Sequence, residues 1–305
     1  MSGIDIVNIV GGLGNQLFQY MFGRALERVT GRTMVFDISD FKRYRLHEGL
    51  AIEKYFEVEL PLASDAQLEQ VPWLCRSHLR KRVTSRLASW QVMMLPLQTD
   101  YTFDLRRRRV ITRSTEYFLG YWQSQAYLAD ELLAVRKALR FREEIRLAAD
   151  RAIDLADISF DGAAAIHIRR GDYVTAPSRA PHYALPVDFY FRAIDMLANE
   201  RGITRFYVFS DDIEWAKLNF PAHYNLYFID SSVTGSAGVD ICLMTRFPDM
   251  IISNSSFGWW AAALRENEHG LVLFPRQWVK PIFANDLTKS AKPIDGWRAL
   301  SGNLK

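Results

Sequence analysis

Cysteine is scarce: 305 residues hold only Cys75 and Cys242. Two thiols so far apart build neither a disulfide framework nor a CxxC metal or redox spacing. No apolar run approaches the ~20 residues that cross a bilayer. The opening MSGIDIVNIVGG has no basic stretch and carries Asp5, so it reads as a strand rather than a signal peptide. There is no internal repeat and no low-complexity linker. These absences exclude a disulfide scaffold, a membrane-spanning protein and a repeat solenoid. They leave the expectation of a soluble, cytoplasmic protein, in which the Asn254-Ser255-Ser256 sequon is a chance match.

What is present is ordinary globular material, 49% hydrophobic and 24% charged. The length suits two domains of roughly 100–200 residues each. We place them at 1–155 and 156–305, with the C-terminal tail returning to the first. The net charge of +3 is unevenly spread. Between Arg76 and Arg113 there are ten Lys/Arg against Asp100 and Asp104, a balance of +8, which leaves −5 for the rest of the chain. Within 76–113 the basic residues flank Trp90, Val92, Met93, Met94 and Leu95, a pattern that suits an anionic membrane surface and peripheral contact with the inner membrane. The plainer alternative is a solvated charged face over ordinary core. Nucleic acid is not expected, because Arg106–Arg109 lacks interleaved aromatics and the remaining chain is net acidic.

Short apolar runs alternate with helical patterns. Ile4–Val10, Thr33–Asp37 and Leu119–Trp122 read as strands in the first half, and Gln16–Val29, Ala126–Leu139 and Glu143–Ala156 as helices. The second half is more regular. Ala163–Ile168, Phe206–Phe209, Leu226–Ile229, Met250–Ile252 and Leu271–Phe274 are strand-like, with helical stretches Val187–Glu200, Ile213–Leu218, Val239–Arg246 and Phe257–Leu264 between them. Such alternation predicts α/β folding with parallel sheets. In these sheets ligands bind beyond the carboxyl ends of the strands.

The chemistry-bearing residues stand at those ends. Gly11-Gly12-Leu13-Gly14-Asn15-Gln16 follows the first run. A dinucleotide fingerprint wants a third glycine where Leu17 stands, although Asp37 ends the second strand at a suitable distance. A plain turn with Asn15 as helix cap is one alternative, and a turn offering backbone N–H groups to a sugar or phosphate is another. His167-Ile168-Arg169-Arg170-Gly171-Asp172-Tyr173 leaves a buried run. Two adjacent arginines there call for an anion, either a diphosphate gripped by the planar fork or acidic side chains elsewhere in the fold. Ser210-Asp211-Asp212 reads as a helix cap, half a metal site, or a partner for ribose and guanine N–H groups. Asp240 caps a helix or faces a nucleotide. Ser253-Asn254-Ser255-Ser256 runs from a strand into a helix, which suits an anion, and Trp259-Trp260 reads as core.

In order, GGLGNQLFQYMFGRALE, HIRRGDY, FSDDIEW, DICLM and DMIISNSSFGWWAAAL resemble the alpha-1,2-fucosyltransferases of glycosyltransferase family 11, across residues 11–264. The resemblance implies a GT-B-like fold, two Rossmann-like domains facing across a cleft, the second binding the donor. It implies GDP-fucose as donor, a galactose hydroxyl of an oligosaccharide or lipid-linked glycan as acceptor, inversion at the anomeric carbon, and neither cofactor nor metal. By similarity Arg169 and Arg170 hold the diphosphate, and His167 and Asp240 contact guanosine. Asp211, Asp212, Asn254, Ser255 and Ser256 complete the nucleotide pocket, while Asn15 faces the fucose or the acceptor. Electrostatic reasoning makes Arg170 the stabiliser of the leaving diphosphate. Asp172, two residues further on, is the candidate base or, alternatively, orients Arg170 or its loop. The rivals are an NAD-dependent oxidoreductase built on the GGLGN turn and a non-catalytic carbohydrate-binding protein.

Overall fold

A computed structural model describes residues 3–42, 48–71, 97–99, 115–123, 132–175, 182–279, 294 and 296–301. The chain divides into two compact units, 1–139 and 140–305. The division falls before the helix Glu143–Leu155, not after it at 155. That helix buries Ile145, Ala149 and Ala152 and packs on the helix Ala237–Met244 of the second unit. Its amphipathic stripe therefore belongs to the second core, a fact that periodicity alone does not reveal.

The first unit holds strands β1 (Ile4–Asn8), β2 (Thr33–Asp37), β3 (Leu97–Thr99) and β4 (Tyr117–Leu119) in the order β2-β1-β4-β3, all parallel. Ile6, Val7, Met34 and Phe36 are fully or nearly fully buried, as strands with both faces covered require. Between β1 and β2 runs the helix Leu13–Thr30, closed by left-handed Gly31, whose N–H donates to the Glu27 carbonyl at 2.8 Å. Asp5 receives both Nε and Nη2 of Arg32 at 2.7 Å and the Glu116 N–H at 3.0 Å, which ties β1 to the residues that lead into β2 and β4.

The second unit adds β5 (Ala163–Ile168), β6 (Arg205–Ser210), β7 (Leu226–Ile229), β8 (Asp249–Ile252), β9 (Val272–Pro275) and β10 (Arg298–Leu300) in the order β10-β9-β8-β5-β6-β7, again parallel. Counted within the unit and read from the far edge, this is 3-2-1-4-5-6, the order of dinucleotide-binding sheets. Ile166, Ile168, Phe189, Leu197, Val208 and Ile251 form its fully buried core. Arg298–Leu300 pairs with β9, so this part of the tail completes the second sheet instead of returning to the first. Its three residues carry no apolar run to announce a strand.

Expected strands and helices of the second half stand where they were read, to within a residue or two. The Leu119–Trp122 strand is shifted, since β4 ends at Leu119 and the chain then turns. Apart from Leu97–Thr99, the basic segment 76–113 lies outside the described residues, and so does the membrane contact read from it. Among the described residues no helix is long and apolar enough to cross a membrane.

Candidate active site

In a parallel sheet the crevice opens where neighbouring strands send the chain in opposite directions. In the second unit that point lies between β5 and β8, where His167 registers with Ile252. The residues leaving β5 are Arg169 and Arg170, and those leaving β8 are Ser253 to Ser256. Arg169 donates from Nε and Nη2 to Asp172 Oδ1 at 3.1 and 2.7 Å, and its Nη1 lies 3.0 Å from Asp211 Oδ2. Burial works against its charge, but Asp211 and then Asp172 more than offset that and hold its pKa above the usual arginine value.

Arg170 is built differently. Its Nε donates to Asp212 Oδ2 at 3.1 Å, and its guanidinium carbon sits 3.7 Å over the Trp215 ring. Asp212 also caps the helix Ile213–Asn219 by accepting the Trp215 N–H, so cap, indole and arginine form one assembly. The N–H groups of Nη1 and Nη2 meet no acceptor among the described residues. This arginine is oriented on one edge and one face, with its outer edge unspent.

Asp211 is fully used. Oδ1 accepts the Arg170 N–H at 2.8 Å and Oδ2 pairs with Arg169. A Cβ on Gly171 would lie 2.6 Å from Oδ2, so a larger residue there would push this carboxylate from its place. The acids of the SDD motif hold the arginines in place. Asp172 orients Arg169 and not Arg170, and its side chain is 53% exposed. Two guanidiniums against three carboxylates, counted from these pairs, leave the cluster at −1.

His167 is buried. Its Nδ1 meets Ser253 Oγ at 2.9 Å, its carbonyl accepts the Ser253 N–H at 3.1 Å, and its ring lies against Phe257. Burial, with Arg169 nearby, lowers its pKa to about 3, so it is neutral at ordinary pH. Asn254 is buried too. Nδ2 donates to the Tyr183 and Trp278 carbonyls, both at 3.0 Å, and its own carbonyl accepts the Tyr173 hydroxyl. Both residues brace the strand ends. Ser255 caps the helix Ser256–Ala263 through the Phe257 N–H, and Ser256 opens it. Trp259 and Trp260 are core, 1% and 0% exposed. Asp240 stands in the first turn of the helix Ala237–Met244, whose cap is Ser236 and not Asp240.

Two buried atoms went unnoticed in the sequence, the Tyr190 hydroxyl and Asn254 Oδ1, neither with a hydrogen-bond partner among the described residues. Burial and then Asp211 raise the Tyr190 pKa well above the usual phenol value, so it remains a donor. Trp215 was likewise missed as a site residue, although the sequence placed it one turn beyond the SDD pair.

In the first unit the corresponding crevice lies between β1 and β4. Gly11 adopts φ +93°, a conformation glycine takes without strain, and a Cβ there would lie 2.8 Å from Asn15 Nδ2. Gly12 is the cap and the helix begins at Leu13, so Asn15 sits inside the first turn and caps nothing. Its Oδ1 instead accepts Gln123 Nε2 at 2.7 Å. Gln16 is fully buried and spent on the Gly11 and Gly49 carbonyls and the Ala51 and Ile52 N–H groups. Asp37, which a dinucleotide would need for its ribose, is 2% exposed and accepts the Tyr117 hydroxyl at 2.6 Å and the Ser39 N–H at 2.9 Å. The oxidoreductase reading loses its acid. Among the described residues no trio of His, Cys, Asp or Glu is arranged to hold a metal ion.

The family model described as "Glycosyl transferase family 11" matches residues 5–300. The "O-antigen biosynthesis glycosyltransferase WbnK" of Escherichia coli is 28% identical over 94% of this chain and 97% of its own length. An "Alpha-1,2-colitosyltransferase" of the same organism is 27% identical over 90% and 92%. The "Galactoside 2-alpha-L-fucosyltransferase SEC1" of Bos taurus is 26% identical over 86% of this chain and 65% of its own. Among solved structures, NodZ alpha-1,6-fucosyltransferase soaked with GDP-fucose aligns with TM-score 0.51 at 16% identity, covering 87% of this chain and 93% of its own. POFUT1 in complex with GDP-fucose aligns at 0.55 and 12%, covering 89% and 98%. The fold is thus GT-B-like, with two Rossmann-like parallel-sheet units.

Proposed function

This chain belongs to glycosyl transferase family 11, and we propose that it moves L-fucose from GDP-fucose to a galactose hydroxyl, forming an alpha-1,2 linkage with inversion and without a metal. The observation that carries the reading is Arg170, fixed by Asp212 and Trp215 at the switch point of a nucleotide-type sheet with its outer N–H groups unspent. The acceptor oxygen bonds to the anomeric carbon from the face opposite the nucleotide. The bond from that carbon to the β-phosphate oxygen breaks, and its electron pair stays on GDP. Negative charge grows on the diphosphate, and a preorganised guanidinium stabilises it without reorganisation. N–H groups at the Ser255–Ser256 helix start add to this.

Arg169 joins the diphosphate only when the carboxylates around it yield, because the unliganded cluster is net negative. Asp172, the most exposed of the three, is the one that exchanges. Once released, it is the candidate to take the acceptor proton. Asp240 remains the candidate for the guanosine. The second unit is the donor side and the first the acceptor side. The test is GDP release from GDP-fucose against galactose-terminated acceptors, with the product linkage read by NMR. A colitosyltransferase among the relatives makes the colitose nucleotide the control donor. Transfer from that donor alone, or from neither, refutes the fucose assignment.

A further inference from the structure

Tyr190 stands on the helix Val187–Arg201, which carries the chain from β5 back to the start of β6. Because the two strands are parallel, this helix runs against them. Its first turn therefore lies near their carboxyl ends, where Arg169 and Arg170 leave β5 and Asp211 leaves β6. Tyr190 is the fourth residue of the helix, 1% exposed, and its ring packs on Phe220 at 5.8 Å between centroids. Phe220 in turn meets Trp215, the indole under Arg170. The ring is thus built into the assembly that orients Arg170. Its hydroxyl is not. Though buried, it has no hydrogen-bond partner among the described residues. An unpartnered buried donor is destabilising, and an apolar group of the same shape would remove that cost. Burial first and Asp211 second raise its pKa, against the pull of Arg170, so the phenol keeps its proton with both charges within reach.

Asp211 is the carboxylate with most to lose when an anion arrives. Its Oδ2 pairs with Arg169 at 3.0 Å and its Oδ1 accepts the Arg170 N–H at 2.8 Å. Asp172 and Asp212, with side chains 53% and 40% exposed, can turn to water when a guanidinium leaves them. Asp211 is 26% exposed and stays tied to the backbone of Arg170, so a replacement for Arg169 has to come from within the fold.

We infer that Tyr190 is a positioning residue whose hydroxyl takes over Asp211 when Arg169 turns to a diphosphate. The phenol O–H then donates to the carboxylate oxygen that the guanidinium has left. A hydrogen bond to a charged group, absent before binding and made on binding, favours the liganded arrangement. The inference rests on the transferase reading for its ligand, a nucleoside diphosphate, but its test separates from it. The probes are GDP and inorganic pyrophosphate, with affinity read by calorimetry, and GDP-fucose for kinetics. Tyr190→Phe keeps the ring and removes only the hydroxyl. It should weaken both probes about tenfold or more, the order of one hydrogen bond to a charge, and lower kcat/KM for GDP-fucose by a similar factor. The free variant should melt at the wild-type temperature or slightly above it, while the rise in melting temperature that GDP produces shrinks. In an Asp211→Ala background the same replacement should change GDP affinity by less than about twofold. A role in packing alone would lower the melting temperature of the free protein and leave GDP affinity unchanged, and either result overturns the inference. So does a loss of affinity that persists in full in the Asp211→Ala background, and so does a wild-type protein that binds neither probe. GDP binding that depends on the Tyr190 hydroxyl in a protein that never transfers fucose keeps the inference and sinks the fucose reading. Fucose transfer indifferent to Tyr190→Phe overturns the inference and leaves that reading standing.

Discussion

Replacing Trp215 tests whether the geometry around Arg170 matters as much as its charge. The guanidinium carbon lies 3.7 Å above the indole, and the side chain is 16% exposed. A cation over an aromatic face contributes about 0.5 kcal/mol when exposed and about 2 when desolvated. At 1.36 kcal/mol per tenfold, Trp215→Leu should lower kcat/KM by roughly 2- to 30-fold. Arg170→Ala removes a preorganised donor to the leaving group and should cost ~10²–10⁴ fold. Arg170→Lys should recover little of that, since an ammonium cannot fork across two oxygens. The decisive assay is the double-mutant cycle on kcat/KM, with a thermal melt of each variant to confirm folding. If Trp215 acts through Arg170, its replacement in the Arg170→Ala background costs less than about twofold, a coupling of roughly 0.5–2 kcal/mol. Trp215→Phe, which keeps a ring face, should lie nearer wild type than Trp215→Leu. Losses that multiply independently in the double variant would refute the reasoning and return Trp215 to the core, where it packs edge-on against Phe220.

Three further outcomes follow from the same residues. Turnover should survive excess EDTA with little loss; abolition by EDTA and rescue by manganese would move the cationic work from the arginines to a metal. Asp172→Asn should leave GDP binding unchanged or tighter, because a competitor for Arg169 is weakened, while transfer falls; parallel loss of binding and transfer would make Asp172 an orienting residue only. His167, neutral when folded and with a pKa of about 3 there, binds its proton near pH 6.5 when unfolded. The unfolded state therefore holds more protons between those values, so this stability is present above about pH 6.5 and is lost as pH falls toward 3. His167→Gln should flatten that limb of melting temperature against pH, and an unchanged slope would show that other groups set it.

Much of the second unit was legible because its strands are buried on both faces, and such strands read as continuous apolar runs with chemistry at their ends. Ala163–Ile168 is a case where the run and the strand coincide and every residue is buried. The first unit was less legible. β3, like β10 in the second unit, is three residues long and too short for any period to register. The helix Asp65–Glu69 was overlooked despite its signature, Ser64 and Gln67 forming a capping box.

The amino-acid order alone determined the α/β class, the parallel sheets and the placing of polar and charged residues just beyond the strand ends of each unit, because backbone pairing and burial leave few other solutions for such a pattern. It also carried the family, through motifs whose order spans the chain. Tertiary structure decided what each polar group spends its bonds on. Asp37 and Gln16 looked available in sequence, and folding engaged them in hydrogen bonds to residues distant along the chain, while His167 and Asn254 were given buried partners at the strand ends. Asp211 and Asp212 proved to be paired with the two arginines and to orient them. Conversely, Trp215 became a platform and the Tyr190 hydroxyl a buried donor, since burial and stacking depend on where the backbone turns and which neighbours it meets. A one-dimensional pattern records which groups exist, and only the packed chain fixes which of them remain unpaired.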